Sequence, residues 1–231
     1  RVKQDGSGIE TSSMNYKINP FDEIAIEEGI RIKEAIGGEV IIVSIGSEEA
    51  QFEIRSGLAM GCDRGILMLT EQELDSDCVA RILVETIHSE KPDVVLLGKQ
   101  AVDVDDNQVP QLLAEYLGWG QACFASKIEI KEGKAQVHLE VDGGTEVVEL
   151  DLPGVISVDL RLNEPRFAKL PDILKAKKKE IQKTAVSELG IETVPKVVVK
   201  KYAASPKRVG GRIVENVHEL VKALKGDAKA I

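Results

Sequence analysis

The chain has few aromatic residues, an excess of acidic charge and no long apolar run. Aromatic residues make up 3% of its 231 residues, which argues against the stacking surfaces that bind single-stranded nucleic acids. Its net charge of −9 argues the same way, because a polyanion is bound by positive charge. No apolar stretch approaches the roughly 18–20 residues of a membrane-spanning helix. The composition therefore predicts neither a nucleic-acid-binding nor a membrane-spanning protein.

Cysteine and histidine are also scarce. Cys62, Cys78 and Cys123 are far apart and form no CxxC pair. This spacing excludes the common zinc and iron–sulfur motifs, and the odd number favours a reducing compartment. The three histidines form no ligand pattern either, so the sequence predicts no metal site.

The motifs of several enzyme classes are missing as well. The chain has no GxSxG nucleophile elbow and no SGGxDS loop of the ATP pyrophosphatases. Nothing in it assembles a nucleophile, a base and oxyanion donors. We therefore predict that this chain makes and breaks no bonds itself and is not an enzyme.

The apolar pattern predicts an α/β fold. Short apolar runs typical of buried strands alternate with segments of helical periodicity, which favours a parallel sheet with flanking helices. Asn19 is predicted to cap the first helix, with Pro20 in its first turn. The predicted helices cover residues 19–36, 47–60, 77–89 and 107–117, and the predicted strands cover 40–45, 64–69 and 93–98.

The pattern changes after Trp119. A β-hairpin is predicted from residues 126–130 and 134–141, followed by strands at 145–150 and 155–158. A long C-terminal extension then contains one further helix at 215–225. We predict three regions: an α/β domain with added antiparallel strands at 1–158, an arm and a basic helix at 159–183, and the extension at 184–231.

The arm concentrates positive charge on an acidic chain. Between Arg161 and Lys183 there are eight basic residues and three acidic ones, a net of +5. A segregated basic patch favours a partner with an acidic surface. Pro165 and Pro171 flank Phe167 and Leu170 and are expected to hold this segment extended.

A second segment, GKQAVDVDDNQV at 98–109, leaves the carboxyl end of a predicted strand and enters a helix. Open α/β sheets bind nucleotides at such positions, where amides at the helix start are free to hold a phosphate. Asp103, Asp105 and Asp106 argue against a polyphosphate and fit ribose hydroxyls, solvent or a single phosphate better. On these residues alone, an acidic surface loop and a nucleotide site are equally good interpretations.

The chain resembles the beta subunits of electron transfer flavoproteins. The resemblance is carried by DLRLNEPRFAKLPDILKAKKK at 159–179, NPFDEIAIEEGIRIKE at 19–34, LAMGCDRGI at 58–66 and LLGKQAVDVDDNQVPQLLAEYLGW at 96–119. These motifs keep the family's order and spacing to about residue 180, while the tail after Thr184 is only loosely similar. The resemblance implies a Rossmann-like, adenine-nucleotide-binding fold. It also implies that the family's first strand and loop, about twenty residues, precede Arg1.

The resemblance further implies cofactors and contact residues. In the family this subunit binds AMP structurally, and FAD lies mainly on the alpha subunit. Phe21 is one candidate for a wall near the flavin. Ile45 departs from relatives that have cysteine there, so only backbone or apolar contact is expected from it. The implied AMP contacts are Asn19, Pro20, Phe21, Asp22, Ile45, Gly98, Lys99, Gln100, Ala101, Val102, Asp103, Val104, Asp105, Asp106, Asn107, Gln108 and Val109.

The implied partners are the alpha subunit, acyl-CoA and related dehydrogenases that donate electrons, and a quinone oxidoreductase that accepts them. The extension at 184–231 is expected to pack on the alpha subunit. Leu170 matches the leucine by which the family's recognition loop enters an apolar pocket on the dehydrogenase. The alternative is that Leu170 packs in the chain's own core. The docking residues implied by the resemblance are Phe167, Leu170, Pro171, Lys175 and Lys178.

Two other functions are possible on the same fold. One is a nucleotide-hydrolysing or nucleotidyl-transferring enzyme, and the other is a stress-type nucleotide sensor that homodimerises. The absence of their catalytic or glycine-rich phosphate loops argues against both. Bifurcating relatives bind a second FAD in place of AMP, and the DVDDNQVP loop with this arm is more similar to the AMP type. The resemblance implies a cytoplasmic location in a bacterium and the mitochondrial matrix in a eukaryote.

Overall fold

The computed structural model describes residues 1–11, 14–207, 210–226 and 228–231. It contains two compact units, one formed by residues 14–198 and a smaller one that combines 1–13 with 199–231. The predicted division into three regions stays a prediction. The two units are described separately.

The larger unit contains α-helices and strands in alternation, followed by a run of strands. In chain order its elements are α1 (Pro20–Ile36), β1 (Ile41–Gly46), α2 (Gln51–Met60), β2 (Arg64–Leu69), α3 (Ser76–Glu90), β3 (Val94–Gly98), α4 (Val109–Leu117), β4 (Gly120–Lys131), β5 (Lys134–Val141), β6 (Gly144–Asp151), β7 (Gly154–Val158), α5 (Leu170–Ala176) and β8 (Ile181–Ala185).

Two sheets organise this unit. The first is parallel, with the strand order β1-β2-β8. The second has the order β3-β7-β4-β5-β6; β3, β7 and β4 run parallel, and β4, β5 and β6 form an antiparallel meander. The predicted α/β class, with parallel strands, flanking helices and added antiparallel strands, is confirmed.

The division into two sheets differs from the single parallel sheet that was expected. Among the described strands, β1 and β3 each have one edge without a partner strand. Both strands line a cavity of about 830 Å³, whose wall also includes Ala25, Ile26 and Gly29 of α1.

The helices bury their apolar faces on the sheets. Ile24 and Ala25 of α1 pack with Val158 of β7, and Leu96 of β3 packs against the same group. Ile54 of α2 belongs to a separate buried cluster beside the first sheet. At about 25 cal/mol per Å² of apolar surface, this burial is the main favourable contribution to folding.

The start of the arm also differs from the prediction. Residues 163–169 form neither helix nor strand, but Leu170 is the first residue of α5, with Pro171 in its first turn. A proline is tolerated there because the N–H it lacks would have no partner within the helix. The expectation that Pro171 keeps Leu170 extended is therefore wrong.

The smaller unit contains an isolated antiparallel bridge between Val2 and Ile9. The Tyr202 amide donates to the Gly6 carbonyl at 2.9 Å. The unit also contains helix α6 (Val217–Gly226), on which none of the described residues is buried. No helix among the residues described in either unit is long and apolar enough to cross a membrane.

Asp75 connects the start of α3 with residues 196–197 in the larger unit. Its side chain accepts hydrogen bonds from the amides of Cys78 at 2.9 Å, Lys196 at 2.6 Å and Val197 at 3.1 Å. Burial raises the pKa of Asp75, but the hydrogen bonds from Cys78, Val197 and Lys196 outweigh it and lower the pKa to about 2. The ionised carboxylate therefore stabilises the fold.

Asp75→Ala should lower the free energy of unfolding by about 1–2 kcal/mol at neutral pH, because it removes a helix cap. The folded pKa lies below the unfolded value of about 3.9. The stabilisation is thus fully present above pH ~4 and is lost as the pH falls toward 2. Denaturant unfolding across that range measures the effect, with Asp142→Ala in the exposed β5–β6 turn as control. A wild-type advantage that persists unchanged at pH 2 would contradict this assignment.

Candidate functional site

The carboxyl end of β3 lies against the first turn of α1. The Gly98 amide donates to Oδ1 of Asp22 at 2.6 Å. A Cβ atom built on Gly98 would lie 2.7 Å from the Asp22 nitrogen and 2.7 Å from Cβ of Phe21. Real Cβ atoms do not approach backbone this closely, so only glycine allows the contact without movement of α1. This close approach brings two of the predicted nucleotide-binding segments together.

Asn19 strengthens the same junction. Its Nδ2 donates to the Gln100 carbonyl at 2.8 Å and to Oδ2 of Asp22 at 2.9 Å, and its Oδ1 accepts from the Val102 amide at 3.3 Å. Asn19 does occupy the position before α1, as predicted, but its side chain makes no cap hydrogen bond to that helix. The expectation of a side-chain cap is wrong, because the side chain is engaged by the loop at 98–109.

The loop itself is held by internal hydrogen bonds. The Ala101 amide donates to the Asp106 carbonyl and the Asp105 amide donates to the Ala101 carbonyl, each at 2.8 Å. Asp105 has a φ of 64°, which costs a non-glycine residue some strain. These two amides are therefore already used within the loop, and further candidate donors lie at the start of α4.

The three loop carboxylates also have partners. Asp103 accepts from the Val104 amide, Asp105 from the Gln100 side chain, and Asp106 from the hydroxyl of Ser76. These contacts fix where the negative charges lie. Asn107 and Gln108 complete the loop before Val109 opens α4, and Gln108 makes no side-chain cap hydrogen bond. The first-turn amides of α4 lack the intrahelical partners that later residues have.

Lys99 lies between two aromatic rings at the same end of β3. Its Nζ is 5.0 Å from the ring centroid of Phe21 and 5.8 Å from that of Phe124. It also forms an ion pair with Oδ2 of Asp159 at 2.5 Å. Burial raises the pKa of Asp159, but the hydrogen bond from Lys99 and its charge outweigh it, so the pKa lies below its ordinary value. The Asp159 carboxylate therefore stays charged at neutral pH.

Phe124 and Asp159 were not predicted. Phe124 has a φ of 64° where the pairing of β4 with β7 shifts register. Its amide donates to the Ser157 hydroxyl at 3.1 Å. A β-bulge of this kind re-aims a side chain, but no turn residue in the local sequence marks it. The one signal in the sequence is that Phe124 lies close to the strands predicted after Trp119.

Ile45 is placed in the first sheet. It pairs in register with Met68 on β2 and packs against the buried cluster that contains Ile66 and Ile82. Its environment is apolar. The structure thus brings Asn19–Asp22 and the 98–109 loop together in one junction, whereas Ile45 lies on a strand of the other sheet.

The predicted docking residues lie on the surface. The side chain of Phe167 is 97% exposed and that of Leu170 is 69% exposed. Pro171, Lys175 and Lys178 are exposed as well. The alternative in which Leu170 packs in this chain's own core is therefore wrong for this structure. Exposed apolar side chains beside positive charge are a typical feature of protein interfaces.

The three cysteine thiols are shifted away from the reactive thiolate form. Burial raises the pKa of the Cys62 thiol to about 12 and also raises the pKa of Cys78 and Cys123, so none favours the reactive thiolate. Within the residues that the structure describes, no group of three or more His, Cys, Asp and Glu side chains could hold a metal ion.

Comparison with known proteins agrees with the motifs. Residues 7–189 match the family model described as the electron transfer flavoprotein domain. A Bradyrhizobium diazoefficiens protein named electron transfer flavoprotein subunit beta is 48% identical over 231 residues, covering 99% of this chain and 92% of the relative. A protein from Arabidopsis thaliana named as the mitochondrial beta subunit is 46% identical, covering 100% and 93%. The Homo sapiens beta subunit is 45% identical, covering 97% and 90%.

Gly98→Ala should destabilise the chain by about 1–3 kcal/mol, because the added methyl group forces α1 away from β3. Gly143→Ala is the matched control, since a Cβ atom there would meet nothing within 4 Å. Chemical denaturation measures the difference between the two variants. Equal stability of Gly98→Ala and the wild type would contradict the close approach described above.

Proposed function

This chain belongs to the electron transfer flavoprotein beta-subunit family and has that family's role in electron transfer, and from this premise we propose that it binds AMP at the β3–α1 junction and docks flavin dehydrogenases through its arm. The proposed partner is an alpha subunit, which the name subunit beta of its relatives implies. In the proposal, electrons come from acyl-CoA and related dehydrogenases and pass to a quinone oxidoreductase.

The redox chemistry is assigned to FAD, mainly on the alpha subunit, because a flavin carries electrons that protein side chains cannot. This chain contributes position and recognition. Phe21 is proposed as part of a wall near the flavin, and Lys99 fixes the Phe21 ring by a cation–π contact worth roughly 0.5–2 kcal/mol. No residue of this chain is proposed to form or break a bond.

The AMP proposal is carried by the hydrogen bonds that join Asn19, Asp22 and the 98–109 loop. Gly98 lacks a side chain where the backbone of α1 approaches, and the nine-residue helix α4 opens at the end of the loop. Amides at such a helix start favour a phosphate. The residues present therefore fit a mononucleotide.

The charge distribution favours one phosphate over three. Three aspartates, Asp103, Asp105 and Asp106, precede α4 in the loop, and acidic groups there disfavour a polyphosphate. Their side chains accept hydrogen bonds within the loop and from Ser76. This distribution supports AMP over a triphosphate substrate, and it argues against the nucleotide-hydrolysing alternative.

The docking proposal is carried by the exposure of Phe167 and Leu170. An isolated apolar side chain in water gains about 1.5–3 kcal/mol when a partner's pocket buries it. Lys175 and Lys178 lie on or just beyond the same short helix, where their charge favours an acidic rim and speeds encounter. The proposed occupant is an apolar pocket on the surface of a flavin dehydrogenase.

The alpha subunit is proposed to pack on the C-terminal extension. The described part of the extension leaves a run of valines exposed, and three apolar residues of α6 are exposed too. Obligate subunit interfaces bury such residues over roughly 2,000 Å² or more. The residues concerned are Val194, Val197, Val198, Val199, Val217, Leu220 and Val221.

The nucleotide content of the heterodimer tests the first part of the proposal. We expect AMP and FAD in about equal amounts and no nucleoside triphosphate after extraction and chromatography. Asn19→Ala should lower the AMP content about tenfold or more, since each lost hydrogen bond contributes about 0.5–1.5 kcal/mol to the order of the loop. The FAD content should not change.

Asn216→Ala is the control for this measurement, because it removes an asparagine hydrogen bond near α6 instead. Two FAD molecules and no AMP per heterodimer would contradict the proposal and indicate a bifurcating protein. Steady hydrolysis of ATP by the purified heterodimer would contradict it in favour of an enzyme.

Leu170→Ala tests the docking role. We expect the KM of the heterodimer as acceptor for an acyl-CoA dehydrogenase to rise roughly ten- to a hundredfold, at 1.4 kcal/mol per decade. Because Leu170 is exposed, the Tm and the flavin content should stay the same. Leu170→Met should restore most of the affinity by its similar volume.

Val147→Ala, which truncates an exposed apolar residue on β6, serves as the matched control and should leave the KM unchanged. A Leu170→Ala protein with an unaltered KM would refute docking at this residue. A large drop in Tm would instead indicate that Leu170 supports the fold.

A further inference from the structure

A buried carboxylate on α1 holds the arm. The side chain of Glu27 is 2% exposed. Its carboxylate accepts hydrogen bonds from Arg166 Nε at 2.8 Å and from a terminal guanidinium nitrogen of Arg166 at 3.1 Å. It also accepts from the Arg166 amide at 3.2 Å and from Nε of Arg31 at 2.7 Å. A buried charge with this many donors is strongly localised.

The same guanidinium reaches a second carboxylate. Arg166 donates to both oxygens of Glu34, at 2.6 Å and 3.0 Å. Glu27 and Glu34 are seven residues apart, about two helical turns, and so lie on one face of α1. Arg166 therefore spans two turns of this helix in a fork geometry that a lysine could not reproduce.

Three further hydrogen bonds fix the residues just before Arg166. The Asn163 side chain donates to the Ile24 carbonyl at 3.1 Å and to Oε2 of Glu28 at 2.8 Å. Arg31 donates to the Glu164 carbonyl at 3.2 Å. Residues 163–166 have no helix or strand of their own, so these side chains determine where the segment lies.

The burial and the pKa of Glu27 both indicate that its carboxylate holds the arm permanently. Burial raises the pKa of Glu27, but hydrogen bonds from Arg166 and Arg31 outweigh it, and the pKa lies below its ordinary value. For Glu28, burial dominates and raises the pKa. The Glu27–Arg166 pair therefore stays charged at neutral pH.

Stability alone does not account for such a pair. Replacing a buried ion pair by apolar residues is often neutral or stabilising, because taking two charges out of water is unfavourable. What the pair does provide is one defined position for the arm on α1. Immediately after it the chain presents Phe167 and then Leu170, the two most exposed apolar residues of the arm.

We infer that Arg166 is the positioning residue of the docking arm: by its fork to Glu27 and Glu34 it fixes the arm on α1, so that Phe167 and Leu170 meet the dehydrogenase in a preformed position. The inference rests on the proposed docking role of Leu170. A preformed arm loses less conformational entropy on binding, which strengthens association. Without the fork, residues 163–169 would have to be ordered at each encounter.

The experiment uses the heterodimer and the variants Arg166→Lys, Leu170→Ala and the double variant. Arg166→Lys keeps the charge beside Glu27 and loses the fork. It should raise the KM for the dehydrogenase about tenfold, leave kcat within about twofold, and speed hydrogen exchange of the amides at 163–170. In the double variant, Arg166→Lys should add less than about twofold to the effect of Leu170→Ala, because residues that act through one another are not additive.

Two further variants keep the result decisive. Glu34→Gln weakens only the exposed half of the fork, so it should give a smaller change in the same direction even if Arg166→Lys folds poorly. Glu39→Gln is its matched control, because Glu39 forms a similar two-oxygen pair, with Arg64 as its partner instead of Arg166. It should change neither the KM nor the exchange at 163–170.

An unchanged KM in Arg166→Lys, together with a raised KM in Leu170→Ala, would overturn the inference and leave the docking proposal intact. Fully additive effects in the double variant would also overturn it, since Arg166 would then act independently of Leu170. If Leu170→Ala alone leaves the KM unchanged, the docking proposal fails first. Faster exchange in Arg166→Lys would then mark a purely structural anchor, which also overturns the inference.

Discussion

The hydrogen bond from the Gly98 amide to the Asp22 carboxylate fixes the end of β3 to the start of α1, and both candidate sites depend on where α1 lies. At its first turn the helix holds Asn19 and Phe21 against the loop at 98–109 and against Lys99. Farther along, its buried Glu27 holds the arm. The contact is possible because Gly98 has no side chain, and it is favourable because it gives the Asp22 carboxyl oxygen a hydrogen-bond donor. Burial raises the pKa of Asp22 and hydrogen bonds from Asn19 and Gly98 oppose the rise, with burial the larger effect.

Local patterns in the sequence predicted most of the elements, and the misses come from interactions between distant residues. The strands at 64–69 and 94–98 are apolar runs, so periodicity found them to within one residue. β8 was missed because IQKTA has exposed polar positions and lies at a sheet edge, where only its pairing with β2 makes it a strand. The first residues of β4 were missed for a related reason: their partner, β7, is more than thirty residues away in sequence. Pro171 was correctly recognised as a constraint, but a helix start satisfies that constraint as well as an extended chain does.

The candidate sites show the same limit. Gly98 and the acidic loop at 98–109 could be predicted from their place between a strand and a helix. The family resemblance supplied AMP as the proposed ligand. Nothing near Phe124 or Asp159 in the sequence indicates that they surround Lys99, because the three residues come from β3, β4 and the end of β7. The partners of Arg166 were equally hidden. The pair that fixes the arm joins residues 139 positions apart, and in the sequence Glu27 is one more acidic residue in an amphipathic helix.

Helix α1 holds the two candidate sites at a fixed distance from each other and does not act as a conformational switch between them. Coupling between sites requires two states that each ligand biases differently, and every contact described here is compatible with a single state. α1 is a continuous seventeen-residue helix. Glu27 near its middle is held by Arg166, and Asn19 just before its start is held by hydrogen bonds. Such an element keeps the arm at a fixed distance from the Phe21–Lys99–Phe124 cluster. In the proposed role, where this chain supplies position and recognition, a fixed distance is what matters, because electron transfer to a flavin would require the docked donor to lie in one place. The buried charge on Glu27 is therefore best understood as stabilising one geometry over others, at some expense in folding stability.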